Sequence, residues 1–320
     1  MAISQVKKKA PLNMESLTLG ELTWINIVRP TEKETQYLAE HYPFHPLDLD
    51  DVLSRRQRPK IDEYRDYLFL VFHFPVFDKE QWVTTHSKLS VFIGEKYLIT
   101  LHAGDLKPLV KLFRECQIDE ESRREYFGHG SGHLLYRITD RLVDYCFPIL
   151  NKILDNIEEV EDDVFAERKK DTVKAISMFR RDIISFRRTI WPMRAVLGSL
   201  EAKVRRFVNK DLDKDLSVYF GDMIDHMDKI WDTLDEYKEI IEGLSATHDS
   251  MSSNRTNEVV RMLTIIATVL LPITVVASVY GMNITTLPFA ESDYSFFFVV
   301  LVMIVIVGGM LYFFRRIRVI

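Results

Sequence analysis

Residues 262–280 read MLTIIATVLLPITVVASVY, nineteen residues without a charged side chain, and residues 296–314 read FFFVVLVMIVIVGGMLYFF, nineteen more. At about 1.5 Å of rise per residue, each stretch forms a helix of roughly 28 Å, close to the ~30 Å hydrocarbon thickness of a bilayer. Two such stretches side by side favour membrane spans over the buried core helix of a soluble protein. We therefore expect a two-helix transmembrane domain over residues 259–320, with an external loop at 281–295.

Charged residues around these stretches indicate an orientation. Five basic residues flank the two stretches on their outer sides: Arg255, Arg261, Arg315, Arg316 and Arg318. The loop between the stretches contains two acidic residues, Glu291 and Asp293. By the positive-inside rule, the flanking segments are cytoplasmic and the loop is external. We expect a multi-pass protein of the cell (inner or plasma) membrane with cytoplasmic N- and C-termini and the lipid bilayer as a partner.

The composition of the whole chain excludes several classes of protein. Its 320 residues are 47% hydrophobic and 28% charged, with a net charge of −5. This balance excludes a disordered or fibrous chain. The net negative charge gives no indication of nucleic-acid binding. The two cysteines, Cys116 and Cys146, are too few for a disulfide framework or a cysteine-based zinc site. Since no nucleophile–base pair or paired carboxylates stand in a catalytic context, we expect no enzyme activity and no cofactor.

Short apolar runs predict strands in residues 1–130. They are Trp24–Val28, Tyr67–Val76, Leu89–Phe92 and Tyr97–Leu101, the last two joined as a hairpin through Gly94-Glu95-Lys96. The run Leu68–Phe72 is apolar without alternation, which is typical of a strand covered on both faces by helices. We predict a cytoplasmic α/β domain over these residues.

Residues 131–258 have helical periodicity and form the predicted stalk region. Apolar residues follow one another at spacings of four and three along a seam: Leu216, Phe220, Met223, Met227, Ile230, Leu234, Tyr237, Ile241 and Leu244. A heptad seam of this kind packs helices against one another. Because no proline interrupts residues 212–271, the helix can continue into the first span. We expect such a long helix to pack against copies of itself in a homo-oligomer; packing on residues 134–206 of the same chain is the alternative, and both can hold together.

Two other segments of the soluble part have weaker signals. We interpret Gly128–His133 as a flexible linker rather than a phosphate loop or a His-based metal site, because no strand ends immediately before it. An acidic run over residues 155–163 precedes a basic run over residues 168–188. These runs favour two antiparallel helices with complementary solvated faces, and the alternative is an acidic surface that attracts cations.

Small or polar residues follow one face of the first span and its approach, and we call this set the polar stripe: Asn257, Val260, Leu263 (or Thr264 at this position), Ala267, Leu271, Thr274 and Ser278. Steps of three and four keep these residues on one helix face. Because polar groups that face lipid are costly, the stripe is expected to face protein or water. In a symmetric oligomer it predicts a pore in which rings of Asn, Thr and Ser are separated by apolar rings. The alternative is helix–helix contact through Thr and Ser.

The first span ends in Tyr280-Gly281-Met282-Asn283, which resembles the signature of the CorA family of divalent-cation channels. The stretch NRTNEVVRMLTIIAT at residues 254–268 is similar to the pore helix of that family. Three upstream motifs resemble its cytoplasmic domain: His45–Asp51, Gln57–Lys60 and Thr189–Pro192. The resemblance covers nearly the whole chain from about Trp24, with the motifs in the family's order.

The resemblance implies a homopentameric funnel in which the stalk helix continues as the pore-lining span and the second span lies outside it. The family's usual cargo is Mg²⁺, with Co²⁺ and Ni²⁺ tolerated, and some relatives move Zn²⁺. A ring of Asn283 amides suits hydrated Mg²⁺, which dehydrates reluctantly and prefers oxygen ligands. Gly281 and Met282 belong to the same selectivity motif, and Asn257 and Thr274 make the inner polar rings.

Val260, Leu263 and Leu271 supply the apolar rings of the expected gate. The pore stripe carries no His, Cys or carboxylate, so it has no ligands that favour soft metals.

The family also senses intracellular Mg²⁺ through carboxylates at subunit interfaces. Asp51 matches one such position, and Asp222 is expected to be its partner from the neighbouring subunit. A further stalk position, acidic in some relatives, aligns with Ala246. The external loop lacks the Met-Pro-Glu-Leu motif that often follows Gly-Met-Asn in the family, and its acids Glu291 and Asp293 are expected to concentrate cations without a set match to the family's acid.

The sequence therefore predicts a Mg²⁺-gated Mg²⁺ channel driven by the membrane potential. The alternatives are a zinc transporter of the same family and, from another class, a membrane-anchored cytoplasmic scaffold.

Overall fold

The structure is a computed structural model that describes residues 12–54, 56–78, 83–166, 171–208, 216–282 and 294–317. The chain divides into two compact units, Met1–Ser245 and Ala246–Ile320. The first unit contains a sheet with its covering helices. The second contains apolar helical segments.

One mixed sheet is formed by six strands within the described residues: β1 (Met14–Leu19), β2 (Leu22–Val28), β3 (Lys60–Glu63), β4 (Tyr67–Asp78), β5 (Val83–Gly94) and β6 (Tyr97–His102). Their order across the sheet is β1-β2-β6-β5-β4-β3. β2 and β6 are parallel, and the other neighbours are antiparallel. The four predicted strands and the β5–β6 hairpin are confirmed, whereas β1 and β3 were not predicted.

Nine α-helices and one short 3₁₀ helix (Arg205–Phe207) complete the described part of the chain. The α-helices are α1 (Glu32–His41), α2 (Pro46–Leu53), α3 (Lys107–Ile118), α4 (Glu120–Phe127), α5 (Ser131–Asp144), α6 (Cys146–Phe165), α7 (Thr172–Val204), α8 (Leu216–Tyr280) and α9 (Ser295–Arg316). Local sequence explains where the first two begin. Thr31 and Glu34 form a capping box at the start of α1, and Pro46 occupies the first turn of α2, where its missing N–H costs nothing.

Helices cover both faces of the sheet. On one face, Phe44 stacks on Phe92 with ring centroids 4.1 Å apart, in a cluster that also buries residues of α1 and α2. On the other face, Trp24 of β2 packs edge-on against Phe113 of α3 at 4.9 Å. Leu68–Phe72 is fully buried, as its unbroken apolar run predicts. The predicted fold class is confirmed: an α/β sheet domain, a long helix and two apolar C-terminal helical segments.

The segment Gly128–His133 is not a flexible linker, and that prediction is wrong. It begins α5, where the buried Ser131 hydroxyl donates a 2.5 Å hydrogen bond to the carbonyl of Gly94. Gly130 has a φ of 93°, and a Cβ at Gly132 would lie 2.6 Å from Val208 Cγ2. Glycine is therefore needed at position 130 for its positive φ and at position 132 for a close approach.

The seam of α8 is buried within its own chain from Phe220 to Leu244. α5, α6 and α7 supply the packing partners: Tyr136 lies 5.6 Å from Phe220, Phe147 lies 5.6 Å from His226, and Trp191 lies 4.8 Å from Trp231, between ring centroids. The alternative of intramolecular packing is thus confirmed. The expectation that the seam needs copies of the chain is wrong, because three neighbouring helices already cover it.

Ion pairs join α7 to α8 at intervals of one heptad. Three arginines seven residues apart on α7 meet three acids seven residues apart, in reverse order, on α8: Arg180 with Glu242, Arg187 with Asp235, and Arg194 with Asp228. The reversed order makes the two helices antiparallel. Arg180 and Arg187, which belong to the basic run, therefore pair with α8. Exposed pairs contribute only about 0.2–1 kcal/mol each, so their main effect is to fix the register of the two helices.

Candidate functional site

Two helices of the described chain, α8 and α9, are long and apolar enough to cross a membrane. In the second unit, each of them is half-buried along a single stripe. The stripe of α8 comprises Ile265, Val269, Pro272, Ile273, Val276 and Tyr280, and that of α9 comprises Val299, Val302, Met303, Ile306, Val307, Met310 and Phe314. This is the pattern of two helices that shield each other along one side.

The polar stripe lies outside this half-buried side. All seven of its members are exposed, including the predicted gate residues Val260, Leu263 and Leu271, whose exposed fractions are 55%, 60% and 66%. Contact between the two spans of one chain therefore does not account for the stripe. It remains available to water or to another subunit.

The threonine hydroxyls of the first span have their protons engaged within the helix. Thr264, Thr268 and Thr274 each donate to the carbonyl four residues earlier, over 2.8, 2.7 and 2.9 Å. This back-bonding leaves the lone pairs of each hydroxyl oxygen as its outward polar feature. Thr274, on the polar stripe, thus presents an acceptor rather than a donor.

The C-terminal end of α8 carries the predicted selectivity motif. The backbone N–H of Gly281 donates to Ala277 O over 2.9 Å, and that of Met282 to Val279 O over 3.3 Å. A Cβ at Gly281 would lie 3.1 Å from Ala277 O, so a side chain here requires that carbonyl to shift by a few tenths of an ångström. Met282 is exposed. Asn283, together with Glu291 and Asp293 of the loop, lies outside the described residues.

Asp51, the first predicted sensor residue, is already in contact with two side chains of its own chain. Lys60 Nζ lies 2.6 Å from Asp51 Oδ2, and the Gln57 amide donates to Asp51 Oδ1. The motif Gln57–Lys60 therefore folds back onto the motif His45–Asp51. This contact was not predictable from the sequence, because eight residues that include a turn separate Lys60 from Asp51.

A second lysine fixes the end of the helix that carries Asp51. Lys88 Nζ donates to the carbonyls of Asp51, Val52 and Ser54 over 2.8, 2.7 and 2.6 Å. Burial lowers the pKa of Lys88 to about 8, although the charge of Asp51 opposes the shift. At the start of α2, the buried carboxyl of Asp48 accepts hydrogen bonds from Tyr67 at 3.0 Å and Tyr64 at 3.1 Å. These contacts hold α2, and with it Asp51, against the sheet.

Asp222, the second predicted sensor residue, lies on α8 beside acids of α5. His226 Nε2 is 3.9 Å from Asp222 Oδ2, and His226 Nδ1 is 3.2 Å from Asp144 Oδ1. Burial first, then the charge of Asp144, raises the pKa of Asp140 to about 6, and Asp222 adds to this shift. Asp140 and Asp144 were not predicted as site residues, and their i,i+4 spacing on α5 was the available signal.

The two predicted sensor residues do not meet within one chain. No hydrogen bond or ion pair joins Asp51 to Asp222, and the side-chain partners of the two carboxylates differ. Across the described ranges, no group of three or more His, Cys, Asp or Glu side chains is arranged to hold a metal ion.

Comparison with known proteins places this arrangement among divalent-cation transporters. A family model described as CorA-like Mg²⁺ transporter protein matches residues 20–316. The chain is 34% identical to the cobalt/magnesium transport protein CorA of Thermotoga maritima over 83% of this chain and 74% of that protein. It is 31% identical to the putative metal ion transporter YfjQ of Bacillus subtilis, over 86% of this chain and 82% of that protein.

The fold has a counterpart among solved structures. The complete structure of the CorA magnesium transporter from Methanocaldococcus jannaschii aligns with a TM-score of 0.80 at 24% identity, over 94% of this chain and 92% of that chain.

Proposed function

Because this chain belongs to the CorA family of Mg²⁺ transporters, we propose that it is a homopentameric channel that carries Mg²⁺ across the plasma membrane into the cytoplasm. Co²⁺ and Ni²⁺ are tolerated as cargo. The membrane potential drives transport, since an inward divalent ion gains about 4.6 kcal/mol per 100 mV, twice the single-charge value. Both termini lie in the cytoplasm, residues 281–295 form the external loop, and no resident cofactor is required.

The observation that carries this proposal is the exposure of the polar stripe. Asn257, Thr274 and Ser278 would each meet lipid or remain unpaired if the unit functioned alone, because the half-buried side of α8 lies elsewhere on the helix. Five copies with their stripes toward a common axis put these polar groups around water. The stripe then forms the wall of the pore, and the domain boundaries near residues 130 and 258 separate the sheet, the stalk and the pore.

The exposed acceptors suit a hydrated cation. The water molecules around Mg²⁺ point their protons outward, so the wall must offer oxygen lone pairs, and Mg²⁺ gives up its water reluctantly. Thr274 offers such a lone pair because its own proton is bound to Leu270 O. Asn283 adds amide oxygens at the outer mouth, and the C-terminal end of α8 adds partial negative charge there.

Apolar rings between the polar ones form the gate. Val260, Leu263 and Leu271 are exposed members of the stripe, and a narrow ring of such side chains blocks ions by excluding water. Asp51 and Asp222 of neighbouring subunits bind regulatory Mg²⁺ and clamp the closed state. Their carboxylate oxygens are the donor class that Mg²⁺ prefers. When cytoplasmic Mg²⁺ falls, the carboxylates repel one another, the subunits shift and the rings admit water.

The alternatives have less support. A zinc pathway calls for His or Cys ligands, and the polar stripe contains neither. A membrane-anchored scaffold has no use for an exposed polar face on its span, since a tether is stabilised by an apolar surface all round.

Ion flux into proteoliposomes with an imposed inside-negative potential tests the proposal. We expect Mg²⁺ entry that increases with the potential, with Co²⁺ and Ni²⁺ entering as well. Asn283→Ala should abolish entry while native mass spectrometry still detects a pentamer. Zn²⁺ entry without Mg²⁺ entry would identify a zinc transporter, and the absence of any flux from an intact pentamer would favour the scaffold.

A further inference from the structure

The proposed sensor residue Asp51 already has a cation beside it, supplied by its own chain. Lys60 Nζ lies 2.6 Å from Asp51 Oδ2, and the exposed fraction of the Asp51 side chain is only 16%. The Gln57 amide donates to the other oxygen, Oδ1. Both oxygens of this carboxylate are therefore engaged before any metal ion arrives.

Lys60 also has a second carboxylate partner. Its ammonium pairs with Asp62, two residues along β3, and it lies 5.4 Å from the centre of the Phe69 ring. Burial lowers the pKa of Lys60, but hydrogen bonds from its ammonium to Asp51 and Asp62 outweigh this effect and leave the pKa raised. Lys60 is thus a permanent cation shared between two acids.

We propose that Lys60 is an intramolecular competitor of Mg²⁺ for Asp51. Its ammonium neutralises Asp51 when cytoplasmic Mg²⁺ is low, and it pairs with Asp62 alone when Mg²⁺ binds between Asp51 and the neighbouring subunit. This inference rests on the proposed sensor role of Asp51. It adds the residue that sets the Mg²⁺ concentration at which the sensor fills.

Two physical arguments support the exchange. An ammonium and a divalent ion repel each other strongly when both contact one oxygen, so Mg²⁺ at Asp51 Oδ2 requires Lys60 to move. Asp62 lowers the free-energy cost of that movement, because the Lys60 ammonium stays paired with the Asp62 carboxylate throughout. Gln57 can stay, since a carboxylate oxygen has more than one lone pair and the amide N–H carries no net charge.

The test titrates Mg²⁺ against protection of the full-length detergent-solubilised protein from chymotrypsin, a protease whose sites the lysine variants leave intact. Lys60→Met should lower the midpoint by about tenfold, the effect of removing a unit charge about 5 Å from a divalent ion even at the dielectric constant of water. Lys60→Arg keeps the charge and should stay near the wild type. Asp62→Asn ties Lys60 to Asp51 and should raise the midpoint.

The control variant is Lys96→Met, which removes the same charge from an exposed pair with Glu21, 2.8 Å away. A Lys60→Met midpoint equal to that of Lys96→Met, or an Asp62→Asn midpoint that falls, would overturn the competitor role. If Lys60→Met fails to fold, Lys60→Gln removes the same charge with a polar side chain and decides the question by the same shift. Asp51→Asn separates failure of the sensor role of Asp51 from failure of the competitor role of Lys60. If Asp51→Asn leaves the midpoint unchanged, the sensor role itself fails. If Asp51→Asn shifts the midpoint but Lys60→Met does not, only the competitor role is rejected.

Discussion

Asp182 of α7 accepts a hydrogen bond from the backbone N–H of Thr84 in β5, 98 residues earlier in the chain. One helical turn away, the Ser185 hydroxyl donates to the carbonyl of the same Thr84 over 2.8 Å. β6 pairs with β5 only from Leu89 to Ile93, so Thr84 has no β6 residue beside it. Two side chains of α7 take the place of that strand, because buried backbone groups need partners. They anchor α7 to this end of the sheet.

Removing the Asp182 carboxylate should destabilise the first unit. We expect Asp182→Ala to cost about 1–3 kcal/mol, since it leaves the buried Thr84 N–H without its acceptor. Asp182→Asn keeps a carbonyl oxygen and should cost less. Thermal unfolding in detergent measures the effect. Ser177→Ala is the control, because this exposed hydroxyl on the same helix bonds only Val173 O, and an equal loss in both alanine variants would contradict the anchoring role.

Asp182 also predicts a pH dependence of stability. Burial raises the pKa of Asp182 above 3.8, although hydrogen bonds from Thr84 oppose the shift. Because the folded state then holds the proton more tightly than the unfolded state, stability falls as pH rises from 3.8 through the folded-state pKa and levels off above it. The stability of Asp182→Asn relative to the wild type should therefore increase with pH over this window. Thermal midpoints of both proteins at a series of pH values test this, and a pH-independent difference would refute it.

How much of this fold the sequence predicts depends on how apolar each element is. β2, β4, β5 and β6 have apolar runs because both faces of the sheet are covered. β1 and β3 are edge strands whose residues are mostly exposed or half-buried, so they have no such run and were not predicted. Edge strands of this kind are visible only through their pairing partners.

The packing partners of a side chain are also hard to predict from the sequence. The spacing of the α8 seam identifies a buried face, but spacing says nothing about which helix covers it, and α5–α7 do. The contact between Lys60 and Asp51 depends on the turn that joins α2 to β3. A motif therefore identifies a candidate site residue, whereas the residues that contact it depend on turns of this kind and cannot be predicted from the motif.

The intramolecular seam predicts how α8 variants behave. Leu234 is fully buried in its own chain, so Leu234→Ala should destabilise the first unit by about 2–5 kcal/mol through lost burial and a cavity. Val218→Ala, on an exposed position of the same helix, should change stability little. Ile230→Asp combined with Leu234→Asp should prevent folding of this unit. A folded monomer from that double variant would mean that the seam packs between subunits instead.

Gly281 should tolerate no side chain without a loss of transport. A Cβ at this position lies 3.1 Å from Ala277 O, so Gly281→Ala must displace that carbonyl by a few tenths of an ångström at the end of α8. Mg²⁺ flux should fall while the oligomer survives. Gly308→Ala on α9 is the matched control, since nothing lies within 4 Å of its Cβ position. Similar flux from the two variants would show that the close approach at Gly281 is dispensable.

Thr274→Val tests the outward lone pair on the polar stripe. The substitution keeps the shape of the side chain, and the hydroxyl that it removes bonds only Leu270 O of its own helix, so the fold should be unaffected. We expect Mg²⁺ flux to fall about tenfold, equivalent to about 1.4 kcal/mol, or one to two hydrogen bonds to the ion's water shell. Thr268→Val removes a hydroxyl with the same local bond, to Thr264 O, about 120° around the helix from Thr274. That variant should conduct like the wild type, because its hydroxyl faces away from the pore axis. Equal losses in the two variants, or normal flux through Thr274→Val, would place the ion pathway on another face of α8.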